Sequence, residues 1–201
     1  MRGKTTVKIT KMCAAAVLAF GASVGTASAV VIDFGGLAGA NGAAFSSYAE
    51  DGFTVNAAGG SWFEGHAFGN PSPSIFAGPI GSPALSTVKV TQTGGSDFKF
   101  VAVDFSSNGG TSTYTIQGLL NGIEVLSLSG TTGPFNTVSD GSGTTIDELM
   151  LTLNPTGEPG SMNVDNINVN VSAVKVPEPG SLIAMLTGLA AFGLARRRRV
   201  R

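Results

Sequence analysis

From residue 30 to residue 171 the chain is written in short runs in which apolar positions recur every second residue, cut repeatedly by glycine, asparagine and proline. A period of two is that of a half-buried strand, and no stretch here carries the longer period of an amphipathic helix. The pattern predicts strands over Val30–Phe34, Gly52–Asn56, Leu85–Thr91, Asp97–Ser106, Thr113–Leu120, Ile123–Leu128, Thr145–Leu153 and Met162–Val171. Asn121-Gly122, set between two such runs, supplies the two positive φ angles of a tight hairpin turn. Many short strands with turn signals between them predict an all-β antiparallel sandwich, jelly-roll-like in outline. Its core draws on Phe98, Phe100, Val101, Val103, Phe105, Ile116, Leu120, Leu149, Leu151 and Leu153. The runs Phe98–Phe105 and Leu149–Leu153 carry apolar groups on both strand faces, which predicts central strands. Residues 41–47, 56–61 and 68–83 are rich in glycine, serine and proline and are expected to be long loops.

The two ends follow another pattern. Residues 1–29 begin basic, pass through an apolar run from Met12 to Phe20 and reach Ala27-Ser28-Ala29, a small-x-small cleavage site. This is the form of a secretory signal peptide, with signal peptidase as its partner and Val30 as the new N-terminus. At the other end Val176-Pro177-Glu178-Pro179-Gly180 leads into an uncharged apolar run and then into Arg196, Arg197, Arg198 and Arg199. The 15 residues Ser181–Ala195 would extend as a helix to roughly 22 Å. That is a short single transmembrane helix, which bilayer thinning or snorkelling arginines can accommodate. The arginines would stay cytoplasmic and hold residues 30–175 outside.

Charge sharpens the division. The whole chain has a formal net charge of −1, but residues 30–176 hold 12 acidic groups against Lys89, Lys99 and Lys175, so that 3 − 12 = −9. So acidic a domain lacks the basic face that phosphate binding requires, which excludes nucleic acid as a partner. The only cysteine, Cys13, lies in the signal region, and His66 is the only histidine. Cysteine–histidine catalysis and cysteine-based zinc sites are thereby excluded.

The order Pro177-Glu178-Pro179, apolar helix, arginine cluster closely resembles the PEP-CTERM protein-sorting signal. The resemblance implies residence in the inner membrane of a Gram-negative bacterium. It further implies cleavage by an exosortase near Pro-Glu-Pro and release to the cell surface among exopolysaccharide and matrix. It implies nothing about residues 30–175.

Within that domain, Ile32-Asp33-Phe34, the 48–55 segment and Val164-Asp165-Asn166-Ile167 resemble the first and last strands of secreted jelly-roll modules of the carbohydrate-binding type. The resemblance implies a structural calcium, with Asp33 and Asp165 as ligands. Strand parity adds that Asp165 shares a face with Ile167, Val169 and Val171, and an inward carboxylate needs a partner. A solvated or turn-capping aspartate is the other reading. Trp62, Glu64 and His66 form an aromatic and polar cluster that suits glycan binding, with Trp62 stacked on a sugar face; equally, Trp62 and Phe68 can close the end of the core. No catalytic residues are expected. Seven scattered acids, Glu50, Asp51, Glu64, Asp104, Glu124, Asp147 and Glu148, form no recognisable pair for polysaccharide hydrolysis. The expectation is a non-enzymatic surface protein, with a carbohydrate-binding module as the alternative and a hydrolase after that.

Overall fold

The computed structural model describes residues 28–67, 72–78, 85–157 and 160–171. The signal peptide up to residue 27, Phe68, the Pro-Glu-Pro motif, the apolar helix and the arginine cluster lie outside the described residues.

Thirteen strands are described: β1 Ser28–Ile32, β2 Ser47–Glu50, β3 Phe53–Gly59, β4 Trp62–Gly65, β5 Ser74–Ala77, β6 Ser86–Gln92, β7 Phe98–Ser107, β8 Ser112–Leu120, β9 Ile123–Thr132, β10 Asn136–Ser139, β11 Thr145–Ile146, β12 Glu148–Asn154 and β13 Met162–Val171. They form two sheets in which every pairing is antiparallel. The front sheet runs β2-β3-β6-β12-β8-β9. The back sheet runs β10-β7-β13-β5-β4, with β1 also on β13 and β11 also on β7. Among the described residues no helix is long and apolar enough to cross a membrane.

The inner faces meet in one core. From the front come Phe53, Val88, Val90, Ile116, Leu149, Leu151 and Leu153; from the back, Ile32, Phe98, Phe100, Val103, Phe105, Val164, Ile167 and Val169. Phe53 meets Phe98 edge-on at 5.2 Å between centroids, and Phe105 stacks on Tyr114 at 5.0 Å, so aromatic contacts cross the gap between sheets. Each fully buried side chain of this size contributes about 1.5–3 kcal/mol of transfer free energy. The front sheet follows the period of two closely: along β12, Leu149, Leu151 and Leu153 are buried and the residues between them half-buried. The hairpin at Asn121-Gly122 forms with φ of 54° and 77°.

Four expectations need correction, the first being that residues 56–59, expected in a loop, extend β3. The run 145–153 is not one strand: β11 pairs with β7 in the back sheet and β12 with β6 and β8 in the front. The chain changes sheets at Asp147, whose carboxylate accepts the Asn121 N–H at 2.8 Å while its own N–H donates to the Leu119 carbonyl. Within the expected loop 68–83, β5 is a strand buried at all four positions, because β13 and β4 flank it and both of its faces are covered. Such a strand shows no alternation, and the neighbouring prolines disguise it. Val101 and Leu120 are half-buried rather than core. Leu120 ends at the hairpin, and Val101 sits at an irregularity where Asn168 pairs with Ala102 and Val169 with Phe100.

Candidate functional site

The sequence placed Asp165 on the core face, and the structure places it on the opposite one. Asn166 adopts φ 47°, and the register with β7 slips between Asp165 and Asn168. This bulge inverts the parity of β13, so Met162 and Val164 before it and Ile167 and Val169 after it are the core residues. Asp165 is nevertheless only 2% exposed, on the outer face beside Asn163. Its Oδ1 accepts the Asn166 N–H at 2.8 Å, and Asp104 stands directly across on β7. The Asp104 carboxylate in turn accepts from Thr137 Oγ1 and Asn166 Nδ2.

The outer face at this end is a closed polar network. Buried Asn163 accepts from Asn108 Nδ2 and donates through its own Nδ2 to Ser74 Oγ at 2.8 Å, and Asn108 also reaches Ser161 Oγ at 2.9 Å. Phe76, across from Asn163 on β5, stacks on Phe63 at 5.3 Å. Asn163 shows in the sequence only as the polar half of an alternating strand, which gives no sign that its amide is buried and satisfied from both sides.

Asp33 is exposed, and its Oδ1 accepts the Gly35 N–H at 2.8 Å in an Asx turn. The structure draws Glu50 into the same turn: its Oε2 accepts the Asp33 N–H at 2.9 Å and the Phe34 N–H at 3.2 Å. The Tyr48 hydroxyl accepts the Gly36 N–H at 2.9 Å, and Phe34, with φ 58°, tucks its buried ring against Tyr48. Burial pushes the Glu50 carboxyl above its ordinary value; the Phe34 N–H opposes this, and the nearby Asp33 charge adds to it. Burial likewise raises the Tyr48 phenol. In the sequence Glu50 stands within the 48–55 segment and among the scattered acids, and nothing in its spacing links it to a turn 16 residues earlier. As to calcium, Asp33 and Asp165 supply two carboxylates where the ion takes six to eight oxygens. No group of three or more acidic, histidine or cysteine side chains suited to a metal occurs among the described residues.

Trp62 is 3% exposed and belongs to the core. Its indole N–H donates to the carbonyls of Gly59 at 3.2 Å and Thr87 at 3.1 Å, so the polar edge of the ring is satisfied from within the fold. A ring enclosed in this way has no face left for a sugar, which corrects the stacking role; of the packing reading, Trp62 is core and Phe68 lies outside the described residues. Gly60 makes the approach possible: at φ 71°, a Cβ there would stand 2.4 Å from the Leu85 carbonyl oxygen. Glu64 and His66 are brought together, with His66 Nε2 and Glu64 Oε2 3.3 Å apart. The same oxygen accepts the Gly39 N–H at 2.8 Å, and Asn41 Oδ1 accepts the His66 N–H at 2.8 Å. Backbone bonds from Gly42 to Glu64 and from Phe45 to Trp62 complete a seam that fastens the 36–46 loop along β4. Chemically, then, the cluster anchors a loop.

Residues 175–199 match the PEP-CTERM protein-sorting motif. No curated protein matches the chain significantly. Among solved structures, the chain is similar to the family 32 carbohydrate-binding module from C. perfringens NanJ in complex with galactose, at 20% identity over 63% of this chain and 98% of that one, TM-score 0.45. It is similar to CBM29_1, a family 29 carbohydrate-binding module from Piromyces equi, at 11% identity over 72% of this chain and 91% of that one, TM-score 0.40. It is also similar to the family 11 carbohydrate-binding module of the Clostridium thermocellum cellulase Lic26A-Cel5E, at 15% identity over 76% of this chain and 99% of that one, TM-score 0.40.

Proposed function

We propose that this chain is a non-enzymatic surface or matrix protein of a Gram-negative bacterium, exported through its signal peptide and held at the inner membrane by its C-terminal segment. An exosortase then frees it near Pro177-Glu178-Pro179, and the sandwich takes its place among exopolysaccharide. The observation that carries this reading is the sorting motif over residues 175–199. The domain supports it: its chemistry-bearing side chains are spent on structure, with Trp62 in the core, Glu64 and His66 on a loop seam, and Asp33 and Glu50 on a turn. Its acidity keeps it clear of nucleic acid.

The test is mass spectrometry of the released protein from a host with its exosortase and from the same host without it. Released protein is expected to start at Val30 and to end near Pro177-Glu178-Pro179 only when the enzyme is present. Residues 181–201 found intact in the released protein would overturn the processing step.

A further inference from the structure

The two edges of the front sheet are unlike. β2, at one edge, has four residues and ends in Glu50. β9, at the other, has ten residues, no proline and no lysine, and its single charge, Glu124, is occupied by Gln117 of the neighbouring strand. From Val125 to Thr132 it carries no charge at all, in a domain whose net charge is −9 by the count above (3 − 12). Folded proteins ordinarily blunt so long an edge, because its unpaired N–H and C=O groups are a template for another strand. A second observation points to the same place. Of the five large apolar residues exposed among the described residues, Ile123 (68%) and Val125 (42%) lie on β9 and Phe135 (54%) follows it. Exposed apolar groups gathered at one edge mark an interaction surface.

We propose that β9 is a self-association edge, on which a second copy of this chain pairs antiparallel about a two-fold axis and joins the two front sheets into one. The segment is complementary to itself. Pairing Ser129 with Ser129 sets Ser127 against Thr131, Leu128 against Gly130 and Leu126 against Thr132, so hydroxyls meet hydroxyls on the exposed face and the less exposed positions meet on the other. The antiparallel arrangement turns the Ile123 end of one copy towards the end of the second copy's edge that Phe135 follows, so the apolar groups gather at both ends of the seam. Two domains of equal negative charge repel elsewhere on their surfaces, and this neutral edge is where they can approach. The inference goes beyond the sorting reading and holds whether or not an exosortase acts.

The test uses the full chain in a Cys13→Ser background, so that an introduced cysteine is the only one. Under mild oxidation Ser129→Cys is expected to give a disulfide-linked dimer, and Ala49→Cys, exposed on β2, is expected to give none. Ser129→Lys and Ser129→Glu, each expressed alone, should weaken self-association about fivefold, since like charges then face each other across the axis. Co-expressing the two, differently tagged, should restore pairing. Ser129 is exposed, so both variants should melt as the parent does. Equal cross-linking at Ala49 and Ser129, a parent chain that stays monomeric, or no recovery on mixing the two charges would each overturn the proposal.

Discussion

The two sheets reach the same core by different rules. In the front sheet the central strand β12 alternates without interruption, so each of its side chains' faces follows from parity, and the register shifts lie in the outer pairings of β3 with β6 and β8 with β9. In the back sheet β7 and β13 pair through two register shifts, and beyond each shift the parity reverses. The front sheet accordingly buries apolar groups on one face only, whereas the back sheet also buries Asn163, Asp165 and Ser74 on its outer face. A bulge turns a strand that alternates simply into one that serves a core on one side and a polar network on the other.

Substitutions can break or sharpen this contrast, and the largest effect should come from the core residues of each sheet. Trp62→Ala in the back sheet should cost about 3–5 kcal/mol and Leu151→Ala in the front about 2–5 kcal/mol, read by thermal or denaturant melting. A Trp62→Ala chain as stable as the parent would mean the ring is not core. Next comes the network peculiar to the back sheet: Asn163→Ala strips Asn108 and Ser74 of a buried partner and should cost ~1–3 kcal/mol. Third, the bulge itself: Asn166→Ala and Asn166→Gly both lose the bond to Asp104, but alanine, forced to keep a left-handed backbone, should cost about 1–2 kcal/mol more than glycine. Equal melting of the two would show that Asn166 does not hold that backbone in solution.

The smallest effect lies at the front-sheet edge. The Glu50 carboxyl is raised in the folded state, so the fold binds its proton more tightly than the unfolded chain does. Its contribution is therefore fully present below the unfolded value and lost as pH rises through the folded one. Glu50→Gln keeps an acceptor for the two N–H groups but cannot ionise. It should gain on the parent in melting temperature at neutral pH and lose that advantage as pH falls below the ordinary glutamate range. A difference that does not vary with pH would remove Glu50 as a titrating group.

The same contrast explains what was legible beforehand. β13 was read with its observed bounds, Met162–Val171, because alternation and flanking breaks are local signals. The hairpin at Asn121-Gly122 was equally local. The orientation of Asp165 was not legible, since one left-handed residue reverses it and asparagine at that place reads as an ordinary polar position. β5 and β10 escaped because four residues are too few to show a period, and β5 in addition has no polar face. The Trp62 cluster was legible as an ambiguity, and burial resolved it. Glu50 meets Asp33 only through the folding of β2 beside a distant turn, and composition holds no trace of that.

Pairing of β1 with β13 sets Ser28 opposite Val171, so the segments that carry the two sorting signals leave the sandwich from one corner. Mechanically this is an unzipping geometry. A pull between the two ends loads the β1–β13 ladder one hydrogen bond at a time, starting at Ser28 and Ala29 while these residues are attached and at Val30 once they are removed. A domain tethered at both ends would therefore be a soft joint. Without such tethers that corner would bear no load, and in an assembly paired as proposed above, tension would pass instead through the long flank at β9.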